Sequence, residues 1–249
     1  MKTKWDYTAL ADAYLKRAPY SRDAILALLD ATGTRSGDRV ADIGAGTGNL
    51  SVELLASGLQ VSAVEPNDAM RKHGVARTKG HEQIVWSEGV GEATGLDSNT
   101  YALVTFGSSF NVTHRPQALA ESARLLKPGG WFACMWNHRD LEDDLQSSIE
   151  AVIREQIPAY AYGTRREDQQ AVIDASGLFG EVQRFEGTLL HTQTVEDCME
   201  AWRSHGTLQR QAGDRFKDVI DAIAALLDAR NLAELAVPYT TRIWAAPLR

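Results

Sequence analysis

The chain has 249 residues, 44% of them hydrophobic and 24% charged, the proportions of an ordinary soluble globular protein with one or two domains. It has no apolar run of about 18 residues, which excludes a membrane-spanning helix, and the opening MKTKWDYTAL, without an apolar segment, reads against a secretory signal. Cys134 and Cys198 stand far apart and form no CxxC motif, so the expectation is a reducing, cytoplasmic compartment. A net charge of −7 leaves no basic surface for a polyphosphate. The basic clusters Arg165–Arg166 and Arg203 with Arg210 sit among Glu167, Asp168 and Asp214, as on solvated helix faces. A small-molecule partner is expected, rather than nucleic acid or a membrane; composition leaves the oligomeric state open.

Residues 1–33 read as two helices, the second starting at Ser21 and ending at Gly33. RVADIG (39–44) is a short apolar run leading into a glycine-rich turn, and residues 49–57 read as a helix up to Gly58. A strand is expected over 59–65, a helix over 67–77, a weak strand over 83–87 and a fourth strand over 101–109. A helix over 116–127 carries proline in its first turn; KPGG (127–130) ends it, and WFACMWN (131–137) is a fifth strand. Strands alternating with helices in this way predict βαβ units and a mostly parallel sheet covered on both faces. Beyond Asn137 the rhythm changes: helices over 140–157 and 165–177, a long strand over 181–192, helices over about 195–205 and 214–230, and a final edge strand over 239–247. The expected organisation is one α/β domain. Residues 1–33 form a helical lid, 34–137 the core, 138–238 core elements with helical insertions, and 239–249 the edge strand.

The strongest chemical signal is VADIGAGTGNLS (40–51). Gly44, Gly46 and Gly48 follow a strand and open a helix, the context in which a nucleotide approaches bare backbone and unpaired N–H groups. A dinucleotide fingerprint requires glycine or alanine where Asn49 stands, and no Gly-Lys-Ser/Thr follows for a phosphate loop. What remains is Asp-x-Gly-x-Gly-x-Gly, with Asp42 at the strand end. Glu65 closes the second strand, where a carboxylate can accept from both hydroxyls of a ribose.

Asp42-Ile-Gly44-Ala-Gly46-Thr-Gly48 resembles the first motif of the class I S-adenosylmethionine-dependent methyltransferases. In the same order, Val64-Glu65-Pro66-Asn67 resembles the family's ribose-binding position, Gly91-Glu92-Ala93 its adenine-side turn, and Leu125-Leu126-Lys127-Pro128-Gly129-Gly130 its turn into strand five. The segment Tyr14–Tyr20 and Met70 are similar to the small-molecule branch known as type 11 or type 25. The resemblance covers about residues 38–137. It implies a Rossmann-like fold with a mostly parallel seven-stranded sheet, an antiparallel final strand, and S-adenosylmethionine as cofactor with S-adenosylhomocysteine as product. It also implies that Tyr14 and Tyr20 close over the methionine end of the cofactor, with Tyr20 counted in the substrate set as well; Arg17 is a further candidate, for the methionine carboxylate.

Methyl transfer from a sulfonium is an in-line displacement that rests chiefly on alignment. No metal is expected, because the six histidines show no H-x₃-H or HExxH spacing. Further site candidates lie after strands four and five: Ser108 for the cofactor, Asn111, Trp136 and Asn137 for the substrate, and His114 as a general base. The late aromatics Tyr160 and Trp202, with His205, are expected to roof the acceptor pocket. The functional expectation is methyl transfer to O, N or C of a small metabolite, with secondary metabolism as the setting considered. Alternatives are an RNA or protein substrate, a non-catalytic cofactor binder, and, from the fold, a dehydrogenase.

Overall fold

A computed structural model describes residues 6–249; the first five residues of the opening segment and the side chain of Arg165 lie outside that set. Seven strands form one sheet: β1 (Arg39–Ile43), β2 (Gln60–Val64), β3 (Ile84–Ser87), β4 (Tyr101–Gly107), β5 (Leu126–Arg139), β6 (Gln183–Thr194) and β7 (Glu234–Pro247), in the order β3-β2-β1-β4-β5-β7-β6. Helices α1 (Ala11–Tyr14), α2 (Arg22–Thr32), α3 (Asn49–Ala56), α4 (Asp68–Arg77) and α5 (Arg115–Leu125) occupy the first half. The second holds α6 (Asp144–Gln156), α7 (Gln170–Asp174), α8 (Val195–Arg203), α9 (Gly206–Ala212) and α10 (Phe216–Ala229). β1 to β5 pair in parallel, while β7 runs antiparallel to both β5 and β6. The parallel half is the one expected from the alternating pattern, and the whole is the Rossmann-like arrangement that the family resemblance implies.

Local chemistry fixes the helix ends. The Ser21 hydroxyl accepts from Ala24 N–H at the start of α2, and Gly33, at φ +68°, ends it. Asn67 caps α4 in the same way through Met70 N–H. One sheet face packs Phe106, Phe110, Phe132, Phe179, Trp136 and Trp244; the other packs Ile25, Leu28, Leu50, Leu54, Leu103 and Ile243. A third cluster joins α6, α8, α9 and α10 to Leu235, Val237 and Tyr239 at the start of β7.

Three expectations require correction. The final strand is not the edge: β7 lies between β5 and β6, and β6 is the edge. The run Ile243-Trp244-Ala245-Ala246 is buried throughout, as an interior strand requires, whereas Leu190 on β6 is 67% exposed. β7 also begins at Glu234, so five residues assigned to the insertions belong to the sheet. The helix expected over 165–177 is only α7, preceded by a 3₁₀ turn at Gly163–Arg166. There the Asp168 carboxylate takes Gln170 N–H and Trp244 Nε1–H, supplying a local alternative to a helical ladder. α9, an additional helix, has His205 as its cap.

Candidate functional site

The parallel strands direct their carboxyl ends to one edge, where open α/β sheets bind ligands. Gly44 stands at φ +66°, and a Cβ there would lie 2.5 Å from Ser109 Cβ. Gly46 stands at φ +59°, with nothing within 4 Å of where a Cβ would project. Gly44 is therefore demanded by packing, whereas Gly46 faces open space with bare backbone. The two N–H groups of Gly44 and Ala45 donate to Val64 O at 2.8 and 3.0 Å, tying the loop to the end of β2. Glu65 completes the junction: Oε2 accepts from Gly46 N–H and Oε1 from Asn67 N–H, each at 2.8 Å. Burial pushes the Glu65 carboxyl up, and the two N–H groups pull it back. Pro66 follows on the same turn, half-buried.

Asp42, expected among the ligand groups, has no exposed surface. Its carboxylate accepts from Ser51 Oγ at 2.6 Å and Thr105 Oγ1 at 3.3 Å. Burial pushes it up to about 6. Asp42, with a ligand role expected directly or through water, ties β1 to α3 and β4 beneath the loop. Gly48 caps α3 without a side-chain bond, and Asn49 receives the Arg77 guanidinium.

After β4, Ser108 is exposed and adopts φ +57°, the left-handed region that L side chains avoid. Its hydroxyl meets Tyr20 OH at 2.9 Å, and Tyr20 is itself buried, which pushes its phenol well up. Such strain on a ligand edge marks a position the surrounding fold holds in place. Gly91 is buried because a Cβ would lie 2.7 Å from Thr113 Cγ2. The Glu92 carboxylate accepts from His114 N–H, and His114 caps α5 with its side chain exposed.

The lid segment joins both halves of the molecule. Thr8 and Asp6 meet Asn67 Nδ2 at 3.0 and 3.4 Å, and Asp12 meets His73 at 2.9 Å. On the far side Lys16 pairs with Asp197 at 2.9 Å, and Arg17 donates to Ser204 O at 2.9 Å with its guanidinium 3.6 Å from the Tyr14 ring centre. Arg17 is thereby committed to α8. Tyr7, which the motif reading missed, packs edge-on against Tyr14 at 5.8 Å. Burial first, then Tyr14, pushes its phenol up to about 12, and Glu65 and Arg210 also act on it. Its spacing of seven from Tyr14, two turns of a helical face, was the available signal.

The expected substrate groups divide. Trp136 is buried and donates to Asn111 Oδ1 at 3.0 Å, joining β5 to the turn after β4. The Asn137 amide is spent on structure: Nδ2 donates to Ala18 O and Pro19 O, and Oδ1 accepts from Thr241. Tyr160 and Trp202 lie inside the helical core at 2% and 4% exposure, and buried His205 caps α9 by accepting Leu208 N–H on Nδ1. These three, expected to roof a pocket, instead hold the late helices together. The reason is area: four short helices need large rings to build a core of their own. Among the described residues no group of three His, Cys, Asp or Glu side chains is placed to hold a metal, and no helix is long and apolar enough to cross a membrane.

A family model described as a methyltransferase domain matches residues 41–134, the stretch containing the glycine loop, Glu65 and the turn after β4. Over that stretch the chain is similar to the type 11 branch of methyltransferase domains. It is 37% identical over 124 residues to an uncharacterized methyltransferase of Mycobacterium tuberculosis, covering 50% of this chain and 48% of that one. It is 33% identical over 106 residues to the ubiquinone/menaquinone biosynthesis C-methyltransferase UbiE of Zymomonas mobilis, covering 41% and 43%. The chain thus spans about half the length of the curated relatives it matches. The YcgJ protein of Bacillus subtilis shares the fold with a TM-score of 0.56 at 18% identity, covering 91% of this chain and 98% of that one. Phosphoethanolamine N-methyltransferase 2 of Haemonchus contortus, solved with S-adenosylhomocysteine, shares it with a TM-score of 0.52 at 17% identity, covering 90% and 52%.

Proposed function

We propose that the chain, acting as one α/β unit, transfers a methyl group from S-adenosylmethionine to a small metabolite. The observation that carries this reading is the junction of Gly46 and Glu65. Residues 19 apart in sequence meet at 2.8 Å beside bare backbone that faces open space. Glu65, with spare lone pairs on both oxygens, accepts the ribose hydroxyls. Gly44, Gly46 and Gly48 let the nucleoside lie against the loop, Pro66 borders the ribose, and Gly91 and Glu92 line the adenine side. Tyr14 and Tyr7 cover the amino-acid end, with Arg17 holding that cover to α8. When bound, the sulfonium supplies an already activated methyl carbon.

The chain's own contribution is alignment and the exclusion of water. Tyr20 and Ser108 fix the floor at the end of β4, and Asn111 and Trp136 fix the adjoining wall. Where the acceptor enters as an alcohol or phenol, His114 is the group that removes its proton. For such a substrate His114→Ala lowers kcat by about 10²–10⁴, and the loss shrinks as rising pH ionises the acceptor unaided; a flat pH profile with unchanged kcat removes His114 from the reaction. The overall assignment is tested by calorimetry with S-adenosylhomocysteine and NAD, followed by methylation of a metabolite pool with labelled cofactor. Binding of S-adenosylhomocysteine but not NAD is expected; the reverse would return the loop to a dinucleotide.

A further inference from the structure

Arg139, the last residue of β5, is an exception among the arginines of the second half. Arg154, Arg184, Arg203 and Arg242 pair with carboxylates. Arg166, Arg215 and Arg230 donate to backbone or hydroxyl oxygens. Among the described residues the guanidinium of Arg139 donates to no oxygen and meets no carboxylate. Its neighbours are rings: the guanidinium carbon lies 4.1 Å from the centre of Trp202 and 5.6 Å from that of Tyr239. Tyr160, Tyr162 and Cys198 also act on it. It is only partly exposed. A guanidinium is always charged and offers five donors in a planar fork. Aromatic faces satisfy part of that charge but accept none of those hydrogen bonds. A withdrawn cation without an acceptor is costly unless something supplies one.

The location is informative. Two residues earlier on the same strand, and so on the same face about 7 Å away, Asn137 holds the carbonyls of Ala18 and Pro19 in the lid. Trp202, which covers the guanidinium, lies two residues before Ser204, the anchor of Arg17. Arg139 thus stands where the lid, α8 and the carboxyl end of β5 converge. Its other titratable neighbour is His191, whose ring lies 6.5 Å from Tyr239. Burial lowers the His191 pKa. Asp197, which also acts on His191, is engaged with Lys16. The compartment therefore sets the Arg139 guanidinium between aromatic walls, with Arg166, which donates to the Arg139 carbonyl and lies over the Tyr162 ring, as the neighbouring cation.

We propose that Arg139 binds a carboxylate carried by the methyl acceptor, which is accordingly a small organic acid with a flat or apolar body. The inference rests on the methyltransferase reading and adds the substrate class. A single planar fork matches a monoanionic carboxylate bidentately, and the aromatic setting of the guanidinium, made by the buried Trp202 and Tyr239, favours an apolar body beside that carboxylate. A phosphate dianion would need a second free cation, and Arg166 is engaged with the Arg139 carbonyl and the Tyr162 ring.

The test uses the whole chain saturated with S-adenosylhomocysteine and three probes: benzoate, its neutral isostere benzamide, and inorganic phosphate. Calorimetry and thermal shift are expected to show saturable benzoate binding, with benzamide and phosphate at least about tenfold weaker, as for loss of a charge-assisted pair. Arg139→Met weakens benzoate at least about tenfold and leaves S-adenosylhomocysteine binding unchanged. Arg139→Lys, which keeps the charge but not the fork, falls between the two and decides the matter if the methionine variant fails to fold. Equal binding of benzoate and benzamide, no benzoate binding at all, or full binding by Arg139→Lys and Arg139→Met overturns the proposal. Preference for phosphate overturns the carboxylate assignment in favour of a phosphorylated acceptor. Failure of the wild type to bind S-adenosylhomocysteine counts instead against the methyltransferase reading.

Discussion

The two halves of the molecule use the same residue types for opposite ends. In the first half, from β1 to β5, polar groups are collected at the strand ends: Glu65 holds Gly46, Tyr20 meets Ser108, and Trp136 meets Asn111. In the second half, the aromatic and histidine side chains that look functional are consumed by packing and capping. Trp202 and Tyr160 fill a helical core, and His205 caps a helix. The difference follows from the sheet. Parallel strands already bury their own apolar faces, so their ends are free to carry chemistry, whereas α6, α8, α9 and α10 have only one another and the start of β7 against which to bury surface.

That contrast can be broken by separating binding from stability. Gly46→Val has the largest expected effect on the site: calorimetry should detect no S-adenosylhomocysteine, because the branched side chain fills the open space against the loop. The fold survives, since no neighbour lies within 4 Å and the cost is the left-handed φ alone, about 1–2 kcal/mol. Retained micromolar affinity would detach this loop from the ligand. Ile223→Ala, in the late helical core and fully buried, should do the reverse. It is expected to cost about 2–5 kcal/mol in urea unfolding while the folded fraction binds S-adenosylhomocysteine as before. A change in that affinity would mean that the two halves are coupled more closely than their cores suggest.

Asp42 sharpens the comparison inside the first half. Its folded pKa of about 6 lies above the unfolded 3.8, so the folded state holds the proton more tightly. That contribution is fully present below the unfolded value and is lost as pH rises through about 6. At neutral pH the charged, buried carboxylate costs about 3 kcal/mol. Asp42→Asn should therefore flatten the stability profile between pH 4 and 7 relative to the wild type, read as urea midpoints across that range. Identical pH slopes would show that Asp42 titrates normally. Glu65→Ala, on the other side of the same loop, should weaken S-adenosylmethionine by about 1.5–3 kcal/mol and a 2′,3′-dideoxy analogue by much less. Equal losses for both ligands would mean that Glu65 serves only to hold Gly46 and Asn67 in place.

The sequence by itself determined the parallel half and its ligand edge. The glycines are legible because the φ values of +66°, +59° and +83° at Gly44, Gly46 and Gly48 favour a residue without a Cβ. Ser21 and Gly33 are legible because capping is local chemistry between near neighbours. Only the tertiary structure decided which side chains at the strand ends face the ligand. Asp42 and Glu65 are both acidic residues at the ends of adjacent strands, yet Ser51 and Thr105 draw one beneath the loop while two backbone N–H groups hold the other at its rim. Strand order belongs to the same class: β7 alternates like an edge strand over part of its length and lies inside the sheet, because β6 returns to pair with it over Gln183–Thr194. Such pairings join residues about fifty positions apart, and loop closure over that distance leaves no mark in a local window. Arg139 is the clearest instance. In sequence it is one arginine among many, and only the fold surrounds it with rings and withholds a carboxylate.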